Sequence, residues 1–178
     1  MSEPAGGGPE WTAELTAVDA ESTQNLASRL GAALRAGDLL VLTGELGAGK
    51  TTFTQGLGEG LGVRPGIISP TFVLVRVHPS LVGGPDLVHV DAYRLGSAEE
   101  LDDIDLESTM ASSVTVVEWG RGKVEHLSDS RLEVSLLRET GGDAVGELVL
   151  DFDETGDDEP RIIRIEAFGP RWDSGPVL

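Results

Sequence analysis

The sequence predicts a single α/β domain with a β-rich C-terminal portion, and three observations carry that prediction. Residues Gly44-Glu45-Leu46-Gly47-Ala48-Gly49-Lys50-Thr51 complete the pattern G-x-x-x-x-G-K-[ST] of a phosphate-binding loop. The apolar run Leu39-Leu40-Val41-Leu42 precedes the loop as a buried strand would, and a helix-compatible stretch, Thr51 to Leu61, follows it. Further apolar runs then end in a lone carboxylate, at Asp91 and at Glu118, before a group of late strands.

Each element has a local reason. Residues 1 to 10 are rich in Gly and Pro without an apolar pattern and read as a disordered N-terminal segment. Trp11 to Val18 reads as an edge strand. Asp19 is placed to cap a helix over 20–35, where Leu26, Leu30, Ala33 and Leu34 recur at helical spacing. The loop strand spans 38–43 and the loop helix 50–61, stopped by Gly62. Phe72 to Val77 forms a strand after the turn-prone Ser69-Pro70, and Leu87 to Val90 a short strand ending in Asp91. Residues 98–111 are acidic and partly helical. Val114 to Val117 is a buried strand ending in Glu118, and Arg131–Arg138, Glu147–Phe152 and Ile162–Phe168 are three late strands. The stretch 139–160 holds nine acidic residues and no basic one, and reads as a solvated hairpin loop. The domain is expected over 11–168, with a flexible tail at 169–178.

Composition sets bounds. The chain has 178 residues, 39% hydrophobic, enough for one domain with a real core. No apolar run approaches the ~20 residues that span a bilayer, and the N-terminus has no signal-peptide pattern, so no membrane association is expected. The absence of cysteine excludes disulfides, thiolate metal sites and a thiol nucleophile, and fits a cytoplasmic location. His78, His89 and His126 show no metal-site spacing and read as structural. The net charge of −18 opposes tight binding of nucleic acid, because Lys and Arg contacts to phosphate supply most of such affinity.

The loop explains how so acidic a chain can hold a phosphate chain. Its glycines let successive backbone N–H groups point inward at phosphate oxygens. The helix that begins at Lys50 adds unpaired N–H groups and the positive end of its dipole. Lys50, one of only two lysines, supplies a cation for the β- and γ-phosphates, and the Thr51 hydroxyl is placed to ligate Mg²⁺. Such a loop also needs a carboxylate near the metal. Asp91 and Glu118 are both candidates, since ligands gather at the carboxyl ends of parallel strands. Thr71, between the loop helix and the next strand, stands where a hydroxyl can sense the γ-phosphate. An ordinary Gly-rich turn, a helix-capping carboxylate and a strand-start threonine are the competing readings.

Four motifs occur in order: Gly-Glu-Leu-Gly-Ala-Gly-Lys-Thr-Thr (44–52), Ser-Pro-Thr-Phe (69–72), His-Val-Asp-Ala-Tyr-Arg-Leu (89–95) and Val-Glu-Trp (117–119). Together they resemble the TsaE (YjeE) family, small bacterial ATPases needed to form threonylcarbamoyladenosine in tRNA. The resemblance covers about residues 12 to 168. It implies a compact P-loop NTPase domain with a mixed, largely parallel sheet, and ATP and Mg²⁺ as ligands. The nucleotide would be held by Glu45, Leu46, Gly47, Ala48, Gly49, Lys50, Thr51 and Thr52, with Trp119 beside it and Arg161 reaching it from the last strand. Glu118 would hold Mg²⁺ with Thr51, Asp91 would be a catalytic or supporting carboxylate, and Thr71 would belong to a switch-like segment. The implied partners are a TsaD-like transferase and its TsaB-like paralogue, so that the chain meets tRNA through proteins and not by tight direct binding. Glu45 stands where the family more often has Asp, His78 where it often has Tyr, and the segment 102–106 departs from the usual Gly-Leu ending.

Three other readings compete. A small-molecule P-loop kinase would carry a cationic lid, for which Arg121, Lys123 and Arg131 are the candidates, but the C-terminal portion reads as strands. A GTP switch would carry Asn-Lys-x-Asp, which is absent; the only asparagine is Asn25, before the loop. A non-catalytic nucleotide-binding adaptor would not need both Asp91 and Glu118.

Overall fold

The computed structural model describes residues 8–45, 49–67, 75–93, 106–138 and 160–176. Seven strands form one sheet: β1 (Trp11–Ala17), β2 (Leu39–Gly44), β3 (Val75–His78), β4 (Asp86–Asp91), β5 (Ser113–Glu118), β6 (Arg131–Arg138) and β7 (Arg161–Phe168). Their order across the sheet is β1-β7-β6-β2-β5-β4-β3. The four central strands run parallel, β6-β2-β5-β4, and antiparallel strands flank them on both sides. The expected mixed, largely parallel sheet is the one observed. The strand expected at 147–152 and residues 72–74 of the strand before β4 lie outside the described residues.

Two helices cover one face. Helix α1 (Ala20–Ala33) starts at Asp19, whose carboxylate accepts the Ser22 N–H at 2.7 Å, as its sequence position predicts. Helix α2 (Lys50–Leu61) ends at Gly62, whose φ of 78° is left-handed and suits glycine. The helices approach closely because glycines meet backbone at the crossing. A methyl group on Gly31 would strike the Leu57 carbonyl, and one on Gly56 would stand 2.7 Å from the Ala27 methyl. Leu30, Phe53 and Leu57 then pack on Leu40, Leu42, Val116, Val134 and Ile163. The alternate residues, Leu39, Val41, Val88, Val90 and Val117, face a smaller core closed by Leu106, Met110 and Val124. A one-turn helix, α3 (Glu107–Met110), supplies part of that cover. No helix among the described residues is long and apolar enough to cross a membrane.

One expectation at the chain ends needs correction. The tail is not loose where it begins: Pro170–Trp172 forms a 3-10 turn, and Trp172 is buried edge-on against Trp11, with ring centroids 6.4 Å apart. Arg171 reaches the start of β2, donating from Nε to Asp38 at 3.0 Å and from Nη2 to the Ala33 carbonyl. Burying an indole and pairing Asp38 outweigh the entropy of ordering these few residues. At the other end, Glu10 is tied to the sheet by its N–H to the Ala167 carbonyl.

Candidate nucleotide site

Strand β2 delivers the chain to the loop, and α2 receives it on the face that carries the larger core. Gly49, the residue before α2, has φ of 99°, a backbone conformation that side-chain-bearing residues rarely adopt. Lys50 begins the helix, and its side chain turns back to the end of β2. Its Nζ donates to the Gly44 carbonyl at 2.6 Å and lies 3.4 Å from the Glu45 carbonyl. Burial pushes the Lys50 ammonium below the usual lysine range, and Glu118 and Asp91 pull it part of the way back. An anionic ligand would act in the same direction as those carboxylates. Thr51 and Thr52 occupy the same first turn, half-buried. Leu46, Gly47, Ala48 and Thr71 lie outside the described residues.

The two carboxylates meet by register. Asp91 pairs with Glu118 across β4 and β5, and Glu118 pairs with Leu42 of β2. Paired residues of neighbouring strands share a face, so both carboxylates stand with Leu42 on the α2 side of the sheet, at its carboxyl end. Both are nearly buried. Asp91 accepts the Tyr93 N–H at 2.9 Å through Oδ1. Glu118 Oε2 lies 2.6 Å from His89 Nε2.

Trp119 closes one side. Its φ of 61° makes it the only non-glycine residue with positive φ among the described residues, a conformation that costs roughly 1–2 kcal/mol. The turn is fixed by the Trp119 N–H to the Leu42 carbonyl and by Gly120, where a methyl group would stand 2.8 Å from Val117. The indole is thereby placed with its ring centroid 4.1 Å from Lys50 Nζ, and Tyr93 packs edge-on against it at 5.4 Å. Local strain held at such a position is typical of functional sites. Lys123, four residues later, ties this segment to β4 by donating to the Ala92 carbonyl at 2.7 Å.

Arg161 opens β7 opposite Arg138 of β6 and is buried. Because β7 runs antiparallel, its first residue lies at the carboxyl end of β2, two strands away or about 10 Å to the side. The sequence-derived set thus gathers Lys50, Thr51, Asp91, Glu118 and Trp119 closely, with Arg161 at the same end of the sheet. Sequence reasoning read His89 as structural and did not anticipate its contact with Glu118. Its signal was present: His89 and Asp91 are two apart on one strand and so share a face.

The residues suit a magnesium nucleotide. Mg²⁺ takes hard oxygen donors, usually one or two carboxylates with phosphates and water. The hydroxyl of Thr51 and the carboxylates of Glu118 and Asp91 are such donors, and no cluster of three or more His, Cys, Asp or Glu residues able to hold a metal without a ligand's help occurs among the described residues.

A strand, a glycine-bearing loop with its lysine and the start of a helix, with acidic strand ends beside them, define the P-loop class of nucleotide-binding α/β proteins. The family model for "Threonylcarbamoyl adenosine biosynthesis protein TsaE" matches residues 17–144. Relatives agree: the tRNA threonylcarbamoyladenosine biosynthesis protein TsaE of Streptomyces coelicolor is 52% identical over 155 residues, covering 86% of this chain and 96% of that protein. Its Bacillus subtilis counterpart is 35% identical over 157 residues, covering 88% and 86%. The crystal structure of Bacillus subtilis YdiB superposes with a TM-score of 0.66 at 32% identity, covering 92% of this chain and 90% of that one. The chain belongs to the TsaE family.

Proposed function

We propose that the chain is a Mg²⁺-dependent ATPase that supports threonylcarbamoylation of adenosine in tRNA by acting on a partner complex of a TsaD-like transferase and a TsaB-like paralogue. The observation that carries the ATPase reading is the meeting of Lys50, at the start of α2, with the register-paired carboxylates Asp91 and Glu118. The family supplies the pathway, and its relatives are named for that biosynthesis.

In this reading the loop and the first turn of α2 bind the phosphate chain through backbone N–H groups. Lys50 leaves the Gly44 carbonyl, or shares it, to neutralise the β- and γ-phosphates. Thr51 and Glu118 would hold Mg²⁺, which when bound would offset the charge that develops on the phosphate oxygens. Asp91, beside Glu118, would orient the attacking water. Trp119 and Tyr93 shield that side from solvent. Arg161 extends toward the nucleotide from β7.

The kinase alternative loses its candidate lid. Lys123 is committed to the Ala92 carbonyl, Arg131 pairs with Glu133 at 3.0 Å and lies over Phe168, and Arg121 reaches Ser135 and Glu133 on the sheet. The reading is tested by ATP hydrolysis measured with the chain alone, with the transferase pair, and with the pair plus tRNA. Stimulation by the pair is expected; phosphoryl transfer to a small acceptor, or turnover indifferent to the partners, overturns the proposal.

A further inference from the structure

His89 is buried completely, in the middle of a strand whose neighbours Leu87, Val88 and Val90 are apolar. A leucine or valine there would match the pattern of β4 and carry no desolvation cost. The imidazole makes one hydrogen bond among the described residues, to Glu118, at 2.6 Å. A carboxylate can only accept, so Nε2 carries the proton and donates it to Oε2. Nδ1 is buried with no partner among the described residues. The polar capacity of this ring is therefore directed at one oxygen of Glu118, and an orphaned nitrogen is tolerated to keep it there.

We infer that His89 is the positioning residue for Glu118, holding Oε2 so that Oε1 alone is presented to the metal of a bound Mg²⁺-nucleotide. The inference rests on the nucleotide reading above. Three facts support the assignment over a purely structural one. The partner is the carboxylate that ends β5 beside the loop strand, not a distant group. The ring approaches from β4 at the row before Asp91, on the same face, so it lies beneath the site and not within it. The contact also fixes the side chain whose next residue, Trp119, is in the strained left-handed conformation. A glutamate free to rotate would spend binding energy on ordering itself when the metal arrives, and the histidine removes that cost.

The test uses the full chain with a non-hydrolysable ATP analogue, titrated by calorimetry with and without Mg²⁺. Gln places an N–H near the position of Nε2, whereas Asn places one near Nδ1, and both are polar and smaller than His. His89→Asn and His89→Leu are expected to weaken Mg²⁺-dependent binding by about 10- to 100-fold while leaving metal-free binding as in the wild type. His89→Gln is expected to restore much of the loss. In a Glu118→Gln background the same substitutions should add nothing, because His89 acts through Glu118. Equal losses with and without Mg²⁺, no rescue by Gln, or a full additional loss in the Glu118→Gln background would overturn the assignment. So would wild-type Mg²⁺ dependence in His89→Asn. The controls separate the two levels: if the wild type shows no Mg²⁺ dependence, or Glu118→Gln does not change it, the nucleotide reading fails and takes the assignment with it. If those controls behave and only the His89 variants do not, the site reading stands without His89.

Discussion

The sheet has two halves that obey different rules. In the parallel half, β2, β4 and β5 are buried along nearly their whole length, because α1 and α2 cover one face and the segments around α3 and Val124 cover the other. In the antiparallel half, β1 and β7 alternate buried and open positions, so that one face packs on the helices and the other meets solvent. Charged residues mean different things in the two settings. On β7 and β1 they pair loosely on the open face, as Arg164 does with Glu14 at 3.7 Å, both half-exposed. On β4 and β5, Asp91 and Glu118 are buried together at one end, with His89 buried beneath them. A charge placed where every neighbour is apolar costs stability, and here both carboxylates stand beside the loop lysine.

That contrast can be broken or sharpened by substitution. The largest effect is expected at Lys50. Lys50→Ala should reduce nucleotide binding by about 10- to 150-fold, the worth of a lost charge-assisted bond, and hydrolysis by more, because the lysine acts where charge develops. Circular dichroism should show the fold retained; an unfolded variant, or unchanged binding, would remove Lys50 from the site.

Asp38 is the exception within the parallel half and sharpens the rule. It is buried at the opposite, amino end of β2, where it accepts from Arg171 and from the Arg35 N–H at 2.7 Å. Asp38→Ala should cost about 3 kcal/mol of stability, as expected for breaking a buried charged pair, without changing nucleotide affinity in the folded protein. Denaturant melts and a nucleotide titration would check both halves of that statement, and a loss of affinity at constant stability would contradict it.

His78 offers a smaller effect, visible through pH. Burial holds its imidazole below the ordinary value of 6.5, and the neighbouring His89 and Arg76 push it the same way. The unfolded chain therefore binds the proton more readily, so stability is lost as pH falls from about 6.5 toward the lower folded value and is unaffected well above it. His78→Gln should flatten that slope in melts recorded between pH 5 and 7.5. A slope unchanged by the substitution would assign it elsewhere. The smallest effect is expected in the antiparallel half: Glu14→Ala should shift stability by no more than about 0.5 kcal/mol, since exposed ion pairs contribute little. A cost above 1.5 kcal/mol would show that the open face is not an ordinary solvated one.

Much of this was legible in the sequence because it was local. The Asp19 cap, the Gly62 stop, the loop and the strand-ending carboxylates are all set by near neighbours and by the periods of helix and strand. What was not legible depends on partners far along the chain. Arg171 and Asp38 are 133 residues apart, so Trp172 and its turn read as a loose tail. Gly31, Gly56 and Gly60 read only as richness in glycine, although the crossing of α1 and α2 requires their missing side chains. His89 needed the β4–β5 register to reveal its partner, and the left-handed backbone of Trp119 has no sequence signature.

Glu118, buried in the parallel half, is proposed to serve a magnesium-bound nucleotide. The most direct measurement compares nucleotide binding by the wild type and Glu118→Gln, with and without Mg²⁺, the amide keeping the shape and losing the charge. A loss confined to the titration that contains Mg²⁺ is expected. An equal loss in both titrations would make Glu118 a structural residue and leave Asp91 as the leading metal carboxylate.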